Sequence, residues 1–166
     1  SVEKALACLK AVFTGPIPES VRLSADGELC AVSAKLVDWE RNKTLTRVKV
    51  LELSTAAELA LPDLPEQPSQ LSWHPAKRSL AFVSSVEGKG AALYEWEPGS
   101  SELVERFACQ HGTRGYVRSG DDFLVLRAPQ PEEGVGVVEF PRTVRPADLV
   151  RASDGSIVAR IPENAS

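Results

Sequence analysis

The sequence predicts an all-β chain made of repeated units of short strands, and three observations carry that reading. The first is the stretch Leu71–Pro98, which reads as three strands joined by turns. Leu71–Trp73 leads into the turn His74-Pro75-Ala76-Lys77, Leu80–Ser84 is an apolar run, Gly88-Lys89-Gly90 breaks it, and Ala92–Trp96 alternates. Proline and glycine stand where a strand cannot continue. The second is repetition. Val21–Ser33 repeats the order strand, serine, turn, strand, with Asp26-Gly27 as a tight turn, and Gly115–Leu126 is a third, worn copy. The apolar strands Cys30–Ser33, Ala81–Ser84 and Leu124–Arg127 recur roughly every 45–50 residues, the spacing of propeller blades. The third is composition: 12 prolines and 11 glycines in 166 residues, with few helical patterns, favour many short strands.

Taken in order, the chain opens on a helix over Ser1–Phe13, because Val2, Leu6, Leu9 and Phe13 share one stripe and Ser1 is placed to cap it. Gly15-Pro16-Ile17-Pro18 ends that helix. After the strand ending at Ser33, Asp38–Thr44 is a polar excursion. Thr46–Val50 then alternates, with Arg47 and Lys49 outward, and the phase shifts at Leu51, which predicts a bulge or strand end. Glu58–Leu61 is the expected outer strand, and Pro62–Pro68 is an inter-blade loop, since its prolines exclude a central strand.

In the second unit Leu80–Val83 is apolar on both faces, as for a strand buried between layers. Ala92, Tyr94 and Trp96 share one face of the next strand, with Leu93 and Glu95 opposite. Ser101–Phe107 is the outer strand, with imperfect alternation. The third unit continues through a loop at Pro129–Gly134 to a strand at Gly136–Phe140. The turn Ser153–Ser156 precedes Ile157–Ile161, either a fourth unit or the return strand of the third. The expected organisation is a helix within 1–16, then propeller-like repeats over 17–62, 69–108 and 113–150, with 151–166 as a remainder. Three four-stranded repeats are too few to close a ring of the usual four to eight blades, so the fold is a partial propeller. An ordinary β-sandwich with coincidental repeats is the competing fold.

The net charge of −4 and the pI near 5.3 argue against a nucleic-acid groove, because phosphate binding needs clustered cations. No apolar run is long enough to span a membrane, and none has a signal-peptide pattern. Cys8, Cys30 and Cys109 read as buried thiols, which points to a reducing, cytoplasmic compartment. Sequons at Asn42 and Asn164 are short enough to arise by chance. Because the chain starts at Ser1 and contains no methionine, it is expected to be a processed or excised piece of something longer.

The pattern Leu23-Ser24-x-Asp26-Gly27-x-Leu29-x-Ala31, with Leu71-Ser72-Trp73-x-Pro75 and Leu80-Ala81-Phe82-Val83-Ser84, resembles the TolB-type propeller repeat. The order of opening helix, first blade with a polar loop and Trp-containing second blade is similar to the N-terminal region of the prolyl oligopeptidase family, acylaminoacyl peptidase-like members included. The resemblance covers about Ser1–Pro98 and is loose beyond. His74-Pro75-Ala76-Lys77 departs from the usual Pro-Asp-Gly, Gly120-Asp121-Asp122 lacks a proline, and Trp73-His74-Pro75 also suits WD-type repeats. The resemblance implies a non-catalytic propeller that gates the access of short peptides to an α/β-hydrolase domain outside this chain, or a partner chain that completes the ring. The alternative is a propeller-type module that binds a protein and catalyses nothing.

No catalytic constellation stands in the sequence. There is no Gly-x-Ser-x-Gly elbow. His74 reads as a structural or solvated turn residue, His111 as a loop residue, and Cys109 is too near His111 in sequence for nucleophile–base geometry. No cofactor is expected, and no metal, because the histidines and cysteines lack ligand spacing. Asp121-Asp122 and Glu132-Glu133 read as solvated acids, and Gly88-Lys89-Gly90 as a hairpin turn rather than a phosphate cradle. Trp73 and Trp96 are expected in the core between blades rather than on a binding platform. Trp39, beside Arg41 in the polar loop, is the candidate interaction residue, either exposed or tucked over a blade edge.

Overall fold

A computed structural model describes residues 2–5, 17–86, 90–110, 112–127 and 147–161. Most of the opening helix, Cys8, Gly88-Lys89, His111, Glu132-Glu133, the strand expected at Gly136–Phe140 and Asn164 lie outside those residues. Residues 2–5 are helical. Val2, expected on the apolar stripe, is 73% exposed, while Ala5 is buried.

The remaining described residues form three four-stranded antiparallel meanders. The first sheet is β1 (Ile17–Leu23), β2 (Leu29–Asp38), β3 (Lys43–Glu52) and β4 (Ala57–Glu58). The second is β5 (Ser69–Trp73), β6 (Leu80–Val86), β7 (Gly90–Trp96) and β8 (Val104–Cys109). The third is β9 (Thr113–Ser119), β10 (Asp122–Arg127), β11 (Ala147–Arg151) and β12 (Ile157–Ile161). Ile157–Ile161 is therefore paired as the last strand of the third sheet.

The sheets stack through their faces. Ala31, Val48 and Val50 of the first meet Leu80, Phe82, Ala92, Tyr94 and Trp96 of the second. Ala81, Val83 and Leu93, on the reverse face of the second, meet Phe123 and Val125 of the third. Leu80–Ser84 and Ala92–Trp96 are buried without interruption because both faces are covered. Alternation in β7 therefore sorts residues between two cores rather than between core and water. Phe82 stacks on Tyr94 at 5.8 Å between ring centres, and Trp96 donates from Nε1 to the Ser100 carbonyl at 2.9 Å.

Two expected strands are corrected, and the bulge or strand end expected at Leu51 is resolved as a strand end: β2 and β3 pair continuously from Asp38↔Lys43 to Leu29↔Glu52, where β3 stops. The phase shift arises because Leu51 is fully buried on the other face, with Cys30, Val32 and Leu53. The expected strand Glu58–Leu61 is reduced to the two-residue β4, because Leu59 leaves the edge after donating its N–H to the Val50 carbonyl at 2.8 Å. The expected strand Ser101–Phe107 begins instead at Val104, and its imperfect alternation is a bulge: Leu93 pairs with Phe107 and Tyr94 with Glu105, leaving Arg106 as the extra residue.

Candidate functional site

The turns between the first and second strands of each sheet meet in a row at one end of the stack. In the first turn Asp26 accepts from Ser24 Oγ at 2.6 Å and from the Glu28 N–H at 3.0 Å. Arg78, from the second turn, reaches across to Asp26 at 2.7 Å and Glu28 at 2.6 Å. The Ser24 hydroxyl, then the Glu28 amide and the Arg78 guanidinium, hold the Asp26 carboxyl down at about 2. In the second turn His74 is buried, and its Nδ1 accepts the N–H groups of Ala76 and Lys77 at 3.0 and 3.1 Å. That leaves the proton on Nε2, which donates to Asp121 of the third turn at 2.9 Å. Both ring nitrogens are thus committed to structure. Asp121 also pairs with Lys77 at 3.2 Å, and Asp122 accepts from Ser153 and the Phe123 N–H. Asp121 keeps a solvated carboxylate, its side chain 75% exposed, and both acids also tie separate turns together.

Behind this row a polar seam, invisible in the sequence, joins the second and third sheets. Glu95 is 8% exposed and pairs with Arg118 at 3.1 Å and Arg106 at 2.9 Å. Burial pushes its carboxyl up, but hydrogen bonds from neighbouring side chains, Arg118 and Arg106 among them, outweigh burial and leave it below the ordinary range. Tyr116 places its hydroxyl among Ser72 Oγ at 2.9 Å, the Gln70 carbonyl at 2.5 Å and the Ala81 carbonyl at 3.1 Å. Gln70 lies in a register shift of β5 with φ of 55°, a conformation that needs such support.

The surface offers three candidate contact regions. The tip of the β2–β3 hairpin carries Trp39, 84% exposed, not tucked over a blade edge. Asp38 accepts the N–H groups of Glu40 and Arg41 and pairs with the Arg41 guanidinium at 3.8 Å, so the turn that presents Trp39 is fixed. A polar cleft of about 450 Å³ runs between β1 and β5, lined by Glu19, Ser20, Arg22, Lys35 and Gln70. A groove of about 630 Å³ lies between β3 and the loop 59–68. Trp96 is fully buried, whereas Trp73 is half-buried against the same core and donates from Nε1 to the Arg22 carbonyl at 2.9 Å.

Cys30 and Cys109 are buried as thiols, and burial pushes the Cys109 thiol up, away from the reactive thiolate. Among the described residues no cluster could hold a metal ion, and no helix is long and apolar enough to cross a membrane.

No protein-family model and no curated protein sequence matches the chain. Solved structures do. An acylaminoacyl peptidase in complex with Z-Gly-Gly-Phe-chloromethyl ketone superposes at a TM-score of 0.62 with 13% identity, covering 87% of this chain and 25% of its own. Pyrococcus horikoshii acylaminoacyl peptidase gives a TM-score of 0.63 with 12% identity, over 88% of this chain and 25% of its own. The β-propeller domain of the trilobed protease from Pyrococcus furiosus, of open velcro topology, gives 0.56 with 13% identity over 87% of this chain and 42% of its own. The chain spans about a quarter of the length of the two acylaminoacyl peptidases. At these identities the likeness is one of fold. With three stacked four-stranded meanders, the chain is a set of consecutive β-propeller blades of the architecture found in acylaminoacyl peptidase.

Proposed function

We propose that the chain is the non-catalytic propeller portion of a prolyl oligopeptidase-like serine peptidase, in which it restricts access to a hydrolase domain outside these residues. The observation that carries this reading is the superposition of nearly the whole blade stack on one quarter of acylaminoacyl peptidase, a protein solved with a peptide-like chloromethyl ketone. The polar cleft between the first strands suits a peptide's backbone amides, and short peptides are the proposed substrate class. The chemistry of acylation lies elsewhere: His74, the one histidine described, has both nitrogens engaged.

Labelling the protein isolated from its source with a fluorophosphonate, then measuring intact mass, tests this. A labelled species much heavier than 17.9 kDa that contains this sequence supports the peptidase reading. An unlabelled species at that mass overturns it.

A second reading, a protein-interaction module, is favoured by one feature. Trp39 is nearly fully exposed on a braced hairpin with Arg41 beside it, the residue types that dominate binding interfaces. Trp39→Ala and Arg41→Ala would weaken capture of a partner, the hydrolase domain included, without changing thermal stability.

A further inference from the structure

The first sheet is unlike the other two at its outer edge. In the second and third, the third strand is covered by a last strand of six or five residues, β8 and β12. In the first, β3 runs for ten residues, yet β4 covers only Leu51 and Glu52. The loop that follows touches the uncovered edge at its two ends alone. The Leu59 N–H donates to the Val50 carbonyl at 2.8 Å, and the Gln67 side chain donates its amide to the Thr44 carbonyl at 2.8 Å and accepts from the Thr46 hydroxyl at 3.2 Å. Between those anchors the loop bows away, leaving the groove of about 630 Å³.

Period two then decides what faces the groove. Val50 and Thr44 direct their carbonyls away from β2, so the even-numbered residues between them do likewise. The N–H and C=O of Thr46 and Val48 point to the groove, with no hydrogen bond to the described residues of the loop. Opposite this edge stand Leu61 and Leu64, half-buried against the core shared by the first two sheets. The charges nearly balance across the groove: Arg47 and Lys49 along β3, Glu58 at the end of β4 where it pairs with Lys49, and Asp63 and Glu66 along the loop. That balance suits an uncharged occupant. Alternating donors and acceptors at strand spacing, beside an apolar wall, are matched only by another extended backbone.

We infer that this groove is a docking site for a short extended peptide, uncharged and with β-branched or apolar side chains, which adds beside β3 as the missing part of the fourth strand. Gln67 already imitates one such contact by offering an amide to Thr44. The inference stands whether or not a hydrolase domain adjoins the chain.

The test titrates the 166-residue chain into fluorescein-labelled acetyl-Thr-Val-Thr-Val-Thr-amide and follows anisotropy, with amide hydrogen exchange on the same complex. Thr46→Pro removes one outward N–H and leaves the pairing with β2 intact, so affinity should fall about five- to tenfold, the loss of one hydrogen bond. Thr46→Ser keeps that N–H and the hydroxyl that donates to Gln67, and should bind like the wild type. Exchange at Thr46, Val48 and Val50 should slow when the peptide is added. Leu64→Glu should weaken binding from the opposite wall without touching the strand. Non-saturable binding, equal binding by Thr46→Pro, or unchanged exchange at those amides overturns the inference. So does a dimer of the wild-type chain that Thr46→Pro dissolves without peptide, since the edge is then held by a second copy. Should Thr46→Pro unfold, exchange in the wild type and the Leu64→Glu titration decide.

Discussion

The indole of Trp73 donates to the backbone carbonyl of Arg22 across 2.9 Å, joining the innermost strands of two sheets that are 51 positions apart in the chain. The bond is directional where the rest of that joint is apolar packing. Trp73→Phe keeps most of the packing and leaves the carbonyl to water, so stability should fall by about 1 kcal/mol. Thermal unfolding should register a drop of about 2–4 °C. No change would mean that packing alone fixes the joint.

Tyr116 is more demanding. Its hydroxyl serves Ser72 and the carbonyls of Gln70 and Ala81, and burial pushes the phenol above its ordinary range. Tyr116→Phe should cost about 1–3 kcal/mol in urea unfolding, the penalty for stranding polar groups. Because the hydroxyl supports the strained Gln70 backbone, hydrogen exchange in β5 should rise more than exchange in β9 itself.

Glu95 and Arg118 form a pair whose side chains are each 11% exposed. Glu95→Ala leaves the guanidinium buried without its carboxylate and should destabilise by about 3–5 kcal/mol. The double replacement Glu95→Leu with Arg118→Met removes both charges and should recover most of that loss, as a double-mutant cycle would record.

Asp26 makes stability depend on acid. Its carboxyl sits at about 2 in the folded chain against 3.8 ordinarily, so protonation favours the unfolded state. The contribution is fully present above about pH 4 and fades as pH falls towards 2. Asp26→Asn should therefore be less stable than the wild type at pH 7, and the two should converge near pH 2. Parallel pH profiles would show that Asp26 has the same affinity for its proton in both states.

Much of the fold was legible because it is written in local chemistry. Asp26-Gly27 needs a positive φ, Gly27 supplies it at 72°, and the hairpin between β1 and β2 follows. Trp39 could be singled out because polar neighbours surround it on both sides. What escaped is what only a second sheet can create. Leu51 looks out of phase until a second apolar cluster is placed against it. Arg106 spoils an alternation because a bulge turns it towards Glu95, and the solvated Asp121 shows no partner in the sequence because His74 reaches it from 47 positions away. The β3 groove escaped for another reason: it depends on the path of the loop 59–68, whose prolines forbid a strand but do not say where the chain runs instead.

The middle sheet has a consequence for how such a chain can diversify. With β6 and β7 walled in on both sides, each of their buried side chains is answerable to the first sheet or to the third, according to the face it takes. Freedom to acquire new specificity is therefore pushed to the hairpin tips and to the open edge of β3. The blade with the fewest options acts as the spacer that holds the more adaptable surfaces at a fixed separation.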